Sequence, residues 1–212
     1  MEQTMTAWPC DRFLTALAGR DAVPGGGGAS ALASALGIAL GNMVGSLTVG
    51  TKKYAAVEAD ILQLNAQAET LRQALLALVQ ADAEAFEPLS RAYGLPKGTD
   101  EEKAHKAAVM EQALKAAVEV PLQILRKTAE ALELIAQYAD KGSAIAISDA
   151  GVAAALCCGG LQGAALNVYI NTKAMADRSS ADAYNAETDA LLAKYVPMAE
   201  DIYRRVSDRL KK

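Results

Sequence analysis

Along nearly the whole chain, apolar residues recur every three or four positions, and no sustained apolar–polar alternation marks a strand. This spacing predicts helices over 9–19, 29–49, 52–89, 100–119, 121–139, 149–174 and 180–210. The breaks have recognisable chemistry. Pro24 to Gly28 reads as a glycine-rich loop ahead of the second helix, and Gly94, Pro96 and Gly98 mark a turn. Thr99 with Glu102 has the spacing of a capping box, which opens the next helix. Pro121 either ends that helix or begins another at its first turn. Lys141-Gly142-Ser143 starts a loop, and Ser148 is the expected N-cap of the helix that follows. In the last helix Leu191, Leu192, Tyr195, Ala199, Ile202, Tyr203, Val206 and Leu210 share one broad face.

Two stretches depart from the amphipathic pattern. No charge occurs between Asp21 and Lys52, or between Asp149 and Lys173. Each helical stretch is long enough to cross a bilayer. Both are rich in Ala, Gly and Ser rather than Leu, both carry Asn, and charged amphipathic helices surround them. The reading adopted is therefore two central helices of a large bundle, apolar on all sides, with no membrane. Small residues recur at every fourth position: Ala29, Ala33, Gly37, Gly41 and Gly45 in one stretch, and Gly151, Ala155, Gly159 and Gly163 in the other. Such ridges let two backbones approach closely. Glycine inside a helix costs about 1 kcal/mol relative to alanine, so this many glycines need a packing reason. The expectation is an all-α multi-helix bundle, one domain over 1–212, whose two small-residue central helices cross tightly within a subunit or across a dimer axis.

Composition sharpens this picture in three ways. The apolar fraction is 52% but aromatics are only 5%, which suits closely packed helices better than a sandwich or barrel. A net charge of −4, with no basic patch interleaved with aromatics, argues against a nucleic-acid partner. Cys10, Cys157 and Cys158 include an adjacent pair, no Cys-x-x-Cys occurs, and His105 is the single histidine, so neither a disulfide framework nor a zinc site is expected. The first residues lack a basic region followed by an apolar run, so a signal peptide is not expected and the cytoplasm is the default.

Candidate chemistry starts with a register argument. Val57, Ile61, Leu64, Ala68, Leu71, Leu75, Leu78, Asp82, Ala85 and Leu89 form one heptad-like stripe, so Asp82 falls on an apolar seam. A carboxylate there is costly unless paired or used, and desolvation would raise its pKa into a range useful for acid–base work. The alternative is that the helix leaves the core at Asp82. The run Gly25-Gly26-Gly27 ahead of a helix could let a ligand approach backbone N–H groups, or could be a plain turn; it is no dinucleotide fingerprint, since no strand precedes it. Asn167 and Asn171, one helical turn apart, are either pocket residues or glue between helices. Asp149 after Ser148 complements a helix dipole. Lys52, Lys53 and Lys97 could meet an acidic substrate or simply be solvated. His105 reads as surface, and Cys157 and Cys158 as small hydrophobes.

The segments VPGGGGASALASALGIALGNMVGSLTVGTKKY (23–54), DAEAF (82–86), LPKGTDEE (95–102), VPL (120–122), SDAGVAAAL (148–156) and LNVYINTK (166–173) occur in one order. Together they resemble the formimidoyltetrahydrofolate cyclodeaminase and methenyltetrahydrofolate cyclohydrolase family, from about Phe13 to Arg178. The resemblance implies an all-α fold that dimerises, with no metal and no cofactor beyond the folate substrate. By the matching positions, Asp82 is similar to the family's catalytic carboxylate. Gly25, Gly26, Gly27, Lys52 or Lys53, Lys97, Ser148, Asp149, Asn167 and Asn171 are similar to its folate-pocket positions. Two departures stand out: Gly28 where the family usually has Ser, and Thr51 where a basic residue often follows Gly50. The family holds two activities. The cyclodeaminase closes 5-formimino-tetrahydrofolate to the 5,10-methenyl form with release of ammonia, and the cyclohydrolase adds water to the methenyl bridge to give 10-formyl-tetrahydrofolate. LNVYINTKAMADR (166–178) resembles the cyclohydrolase branch, since cyclodeaminase domains more often read INL there. A non-catalytic helical dimer is the reading from another class.

Overall fold

The computed structural model describes residues 4–212, and among them every regular element is helical. Six helices carry the fold: α1 (Cys10–Leu17), α2 (Gly26–Ser46), α3 (Glu58–Tyr93), α4 (Asp100–Lys141), α5 (Ile147–Ala174) and α6 (Arg178–Leu210). Single 3-10 turns lie at Met5–Ala7, Lys52–Val57 and Ala144–Ala146. The two uncharged stretches are the centre. α2 packs on α3, α4 and α5, while α5 packs on α2, α4 and α6. α3 and α4 form a long hairpin closed by the expected capping box: Glu102 N–H donates to Thr99 Oγ1, and Thr99 N–H donates to the Glu102 carboxylate. Lys106 Nζ donates to the carbonyl of Tyr93, the last residue of α3, and to that of Leu95 in the turn beyond it.

Glycine brings the central pair together. A Cβ on Gly37 would lie 2.5 Å from Cys157 Sγ and 2.9 Å from the Ala153 carbonyl. One on Gly160 would lie 2.2 Å from Ser34 Oγ and 2.9 Å from the Ser30 carbonyl. Residue 37 thus meets 153–157 while residues 30–34 meet 160–163, so α2 and α5 run antiparallel. Further along α2, Gly41 and Gly45 make room for the ring of Tyr138, whose buried hydroxyl donates to Asn65 Oδ1 at 2.9 Å. Burial pushes that phenol up to about 12.

Several expected boundaries are corrected, each for a physical reason. Gly26, Gly27 and Gly28 are not loop; they are the first turn of α2, with Gly25 at the cap. Residues 52–57 form a 3-10 turn rather than the start of α3, which continues through Pro88 to Tyr93. Pro121 neither ends nor starts a helix, because α4 runs through it unbroken. Ser148 is not a cap: Ala146 occupies that position and Ser148 lies inside the first turn of α5. The α5 ridge also turns out differently. Gly151 meets Val206 of α6, Ala155 and Gly159 are exposed, and Gly163 meets Ser30 of α2. Positions four apart advance by about 40° beyond a full turn, so a four-residue ridge winds around the helix. The face that meets α2 is Ala153, Cys157, Gly160 and Ala164. On α6, Tyr203 and Leu210 are exposed, so its buried face is narrower than expected.

α2 and the segment Ala144–Ala174 are each long and apolar enough to cross a membrane, and about half of each is buried inside the bundle. Their outer faces stay apolar. Leu36, Met43 and Leu47 on α2, and Val152, Leu166 and Ile170 on α5, are exposed.

Candidate active site

The site is built where the N-terminus of α2 meets the side of α3 and the C-terminal half of α5. The expected seam of α3 is buried at Ile61, Leu64, Ala68, Leu71, Leu75, Leu78 and Leu89. At Asp82 the apolar neighbours give way to the opening turn of α2. The Gly28 N–H donates to Asp82 Oδ2 at 2.8 Å, so a carboxylate from another helix caps α2. The N–H groups of Gly26 and Gly27 have no partner among the described residues. The approach is closest at Gly27 and eases on either side of it. A Cβ on Gly27 would stand 2.1 Å from Asp82 Oδ1, one on Gly26 would stand 3.1 Å from Asn167 Nδ2, and one on Gly28 would stand 3.4 Å from the Val79 carbonyl. Gly28, where the resemblance led to the expectation of Ser, packs against Val79 of α3.

Asp82 is half-buried and no basic side chain pairs with it among the described residues. Burial raises its pKa above the ordinary carboxylate value, and the Gly28 N–H holds it back in part. Beside it lies a pocket of about 210 Å³ lined by Ala22, Val23, Gly25, Gly26, Phe86, Ala117, Asn167, Ile170 and Asn171. Asn167 Nδ2 donates to the Gly163 carbonyl at 2.8 Å, and Asn171 Nδ2 donates to the Ala117 carbonyl at 3.1 Å. The pocket is smaller than the roughly 300–1,000 Å³ that encloses a drug-sized ligand, so it takes one end of such a molecule and leaves the rest outside. A wider groove of about 370 Å³ runs between α5 and α6 past Ala155, Cys158, Gly159 and Glu200. It is more open and more apolar, with Gln162, Glu200 and Tyr203 as its polar lining, and none of the site residues expected from the sequence reaches it.

The structure divides the expected site residues into three groups. Gly25, Gly26, Gly27, Asp82, Asn167 and Asn171 come together. Lys52, Lys53, Ser148 and Asp149 lie at the other end of the central pair, where Ala144 N–H donates to the Tyr54 hydroxyl. Eighteen residues of α5, about 27 Å, separate Asp149 from Asn167. Lys97 is exposed in the α3–α4 turn, past the end of α3, which itself extends about 16 Å beyond Asp82. Phe86 and Ile170 were missed as pocket residues. Their signal was present: each lies one helical turn from a candidate, Phe86 from Asp82 and Ile170 from Asn167.

This architecture is shared with known proteins. The model of the formiminotransferase-cyclodeaminase family matches residues 9–190. The chain belongs to that family. Among its relatives in this family, a methenyltetrahydrofolate cyclohydrolase of Methylorubrum extorquens is 46% identical over 200 residues, covering 94% of this chain and 96% of that protein. The formimidoyltransferase-cyclodeaminase of Sus scrofa is 34% identical over 209 residues, 99% of this chain but 38% of that longer protein. A crystal structure of a formiminotetrahydrofolate cyclodeaminase from Thermotoga maritima superposes with a TM-score of 0.80, 28% identity and 97% coverage of each chain.

The glycine turn offers a test of how tightly the family's fold holds Asp82. In Gly27→Ala the new Cβ meets the end of the Asp82 side chain rather than backbone. The carboxylate is expected to swing off the Gly28 N–H while the bundle keeps its fold. The expected result is turnover down by about 100-fold, since a displacement near 1 Å is that costly, with a melting temperature close to that of the parent. Equal activity in Gly27→Ala would mean that the carboxylate position is not critical.

Proposed function

We propose that this chain hydrolyses 5,10-methenyltetrahydrofolate to 10-formyltetrahydrofolate, with Asp82 as the catalytic carboxylate. The observation that carries the reading is an unpaired, half-buried carboxylate at the wall of a small pocket, in a chain similar over nearly its full length to a methenyltetrahydrofolate cyclohydrolase. The methenyl bridge is a cationic amidinium carbon, already electrophilic, and an anionic Asp82 complements its charge. In this mechanism a water oxygen bonds to the bridge carbon as Asp82 takes a proton from it. The C=N electron pair returns to nitrogen, and the neutral adduct then breaks its bond to N5. The proton held on Asp82 passes to that leaving nitrogen, and the adduct's hydroxyl gives its own proton to solvent as the carbonyl forms, which leaves the formyl group on N10. The reaction so written uses water, the substrate and the chain's own groups.

A second reading is the cyclodeaminase reaction, favoured by the likeness to the Thermotoga maritima structure. The same carboxylate would move protons between the attacking nitrogen and departing ammonia. One experiment separates the two. The near-ultraviolet absorbance of the methenyl bridge is followed with purified protein, starting once from methenyl- and once from formimino-tetrahydrofolate. Accelerated loss in the first tube supports hydrolysis, and accelerated gain in the second supports deamination. Uncatalysed rates in both would leave a non-catalytic scaffold as the better description.

We also propose that the working unit is a homodimer joined through the exposed apolar faces of α2 and α5. These exposed large apolar side chains on two neighbouring helices call for a cover. α2 is about 30 Å long, with the Asp82 pocket at its N-terminal end and Lys52, Lys53, Ser148 and Asp149 beyond the other. A two-fold axis across its middle would bring the lysine end of one protomer beside the pocket of its partner. In this reading the lysines, with Lys97, hold the glutamate carboxylates of the folate. Sedimentation equilibrium is expected to give twice the 22.1 kDa chain mass. Leu166→Glu, on the exposed face of α5, is expected to give monomers and lower turnover by more than tenfold. A fully active monomer would refute the shared arrangement.

A further inference from the structure

Pro121 stands in the interior of α4 and is buried there. Proline has no N–H, so the carbonyl four residues earlier, that of Ala117, loses its helical donor. A buried carbonyl needs another. The donor is Asn171 of α5, whose Nδ2 lies 3.1 Å from the Ala117 oxygen. A carbonyl only accepts, so this bond fixes which way the amide points: its NH2 group faces α4 and its oxygen is left over. Both Ala117 and Asn171 line the pocket beside Asp82. Asn167 shows the same division, with its NH2 group on the Gly163 carbonyl. Neither amide oxygen has a partner among the described residues, and neither is a fully buried unsatisfied atom.

We infer that Pro121 is a positioning residue for the pocket: by removing one helical hydrogen bond in α4 it commits the Asn171 amide to present its oxygen to the ligand. With Asp82, the pocket then offers three acceptors, from Asp82, Asn167 and Asn171. That set favours a ligand head that carries N–H donors, beside the open Gly26 and Gly27 amides that can serve its acceptors. The substrate side of this inference rests on the folate reading proposed above. The positioning side rests on the geometry alone.

In Pro121→Ala, residue 121 regains an N–H that can bond the Ala117 carbonyl, and Asn171 is released. The side-chain amide resonances of Asn171 in a nitrogen–proton correlation spectrum read this without any substrate. In the parent they are expected to be shifted and slow to exchange with solvent; in Pro121→Ala they are expected to move toward free-amide positions and to exchange faster. Unchanged Asn171 resonances would overturn the inference whatever the enzyme does. With methenyl-tetrahydrofolate, Pro121→Ala is expected to raise KM by roughly five- to tenfold, about the worth of one hydrogen bond, with kcat within threefold. In an Asn171→Ala background the same proline change is expected to leave KM unaltered, since the two act through one contact. Additive effects would show that Pro121 acts elsewhere. If the parent turns over neither folate, the proposed reaction fails while the spectrum still decides the role of Pro121.

Discussion

Asp82→Asn is expected to fold as well as the parent, to melt at the same temperature or slightly higher, and to lose turnover by about 10²- to 10⁴-fold. The two halves of that result have separate causes. Asn keeps an oxygen for the Gly28 N–H, so the cap on α2 survives. It removes a carboxylate that burial disfavours in its ionised form. The sign follows from linkage. A carboxyl whose folded-state pKa is raised binds its proton more readily when folded, so stability falls as pH rises from the ordinary carboxylate value through the raised one. Above that window the ionised side chain costs stability, and Asn removes the cost. Activity runs the other way. A base works in its ionised form, so kcat/KM is expected to fall with acidity through a limb lying above the ordinary carboxylate range. A pH–rate profile and thermal melts on the parent and on Asp82→Asn check both halves. A folded Asp82→Asn with full activity would remove Asp82 from the mechanism.

Neighbouring glycines on α5 are expected to respond in opposite directions to the same substitution. In Gly160→Ala the new methyl meets the Ser30 carbonyl at 2.9 Å and the Ser34 nitrogen at 3.3 Å, both backbone, besides Ser34 Oγ. Two helices must separate to admit it. Overpacking of this kind costs about 1–3 kcal/mol, which outweighs the roughly 1 kcal/mol that alanine gains in helix propensity. The melting temperature is expected to drop by several degrees, at about 2–4 °C per kcal/mol for a chain of this size. Gly159 has nothing within 4 Å of its would-be Cβ. There the propensity gain stands alone, and Gly159→Ala is expected to raise the melting temperature by about 2–4 °C in dilute protein. Differential scanning calorimetry on the two variants reads the difference directly. Equal shifts of the same sign would mean that α2 and α5 do not meet on the face described.

Most of the bundle was legible because its helices have long, regular apolar stripes, and the α3 seam is the clearest case. Asp82 was legible as the one polar residue on that seam. What the pattern hid was tertiary. Gly26 to Gly28 have the poorest helix propensity of any run in the chain, yet they form a helical turn packed between Asp82 and Asn167, where a side chain at Gly27 would run into the carboxylate. Pro121 reads locally as a break, and its helix continues because Asn171, fifty residues away, bonds the carbonyl that the proline abandons. The α5 ridge misled because strict fourfold spacing does not stay on one face. The distance between Asn167 and Asp149 was implicit in the helix length, but no local motif says which candidate residues share an end of the bundle.

α2 carries Gly37, Gly41 and Gly45 in its interior and no charged side chain, so it has little tendency to be helical by itself. Its helicity is borrowed from α3, α4 and α5. The Gly28 N–H that holds Asp82, and the open amides of Gly26 and Gly27, therefore exist as a site only while α2 is docked. Any sub-global opening that frees α2 dissolves the site before the rest of the bundle is lost. If Asp82 carries the proposed reaction, partly open members of the native ensemble are catalytically silent, and the rate of turnover counts the fully docked molecules.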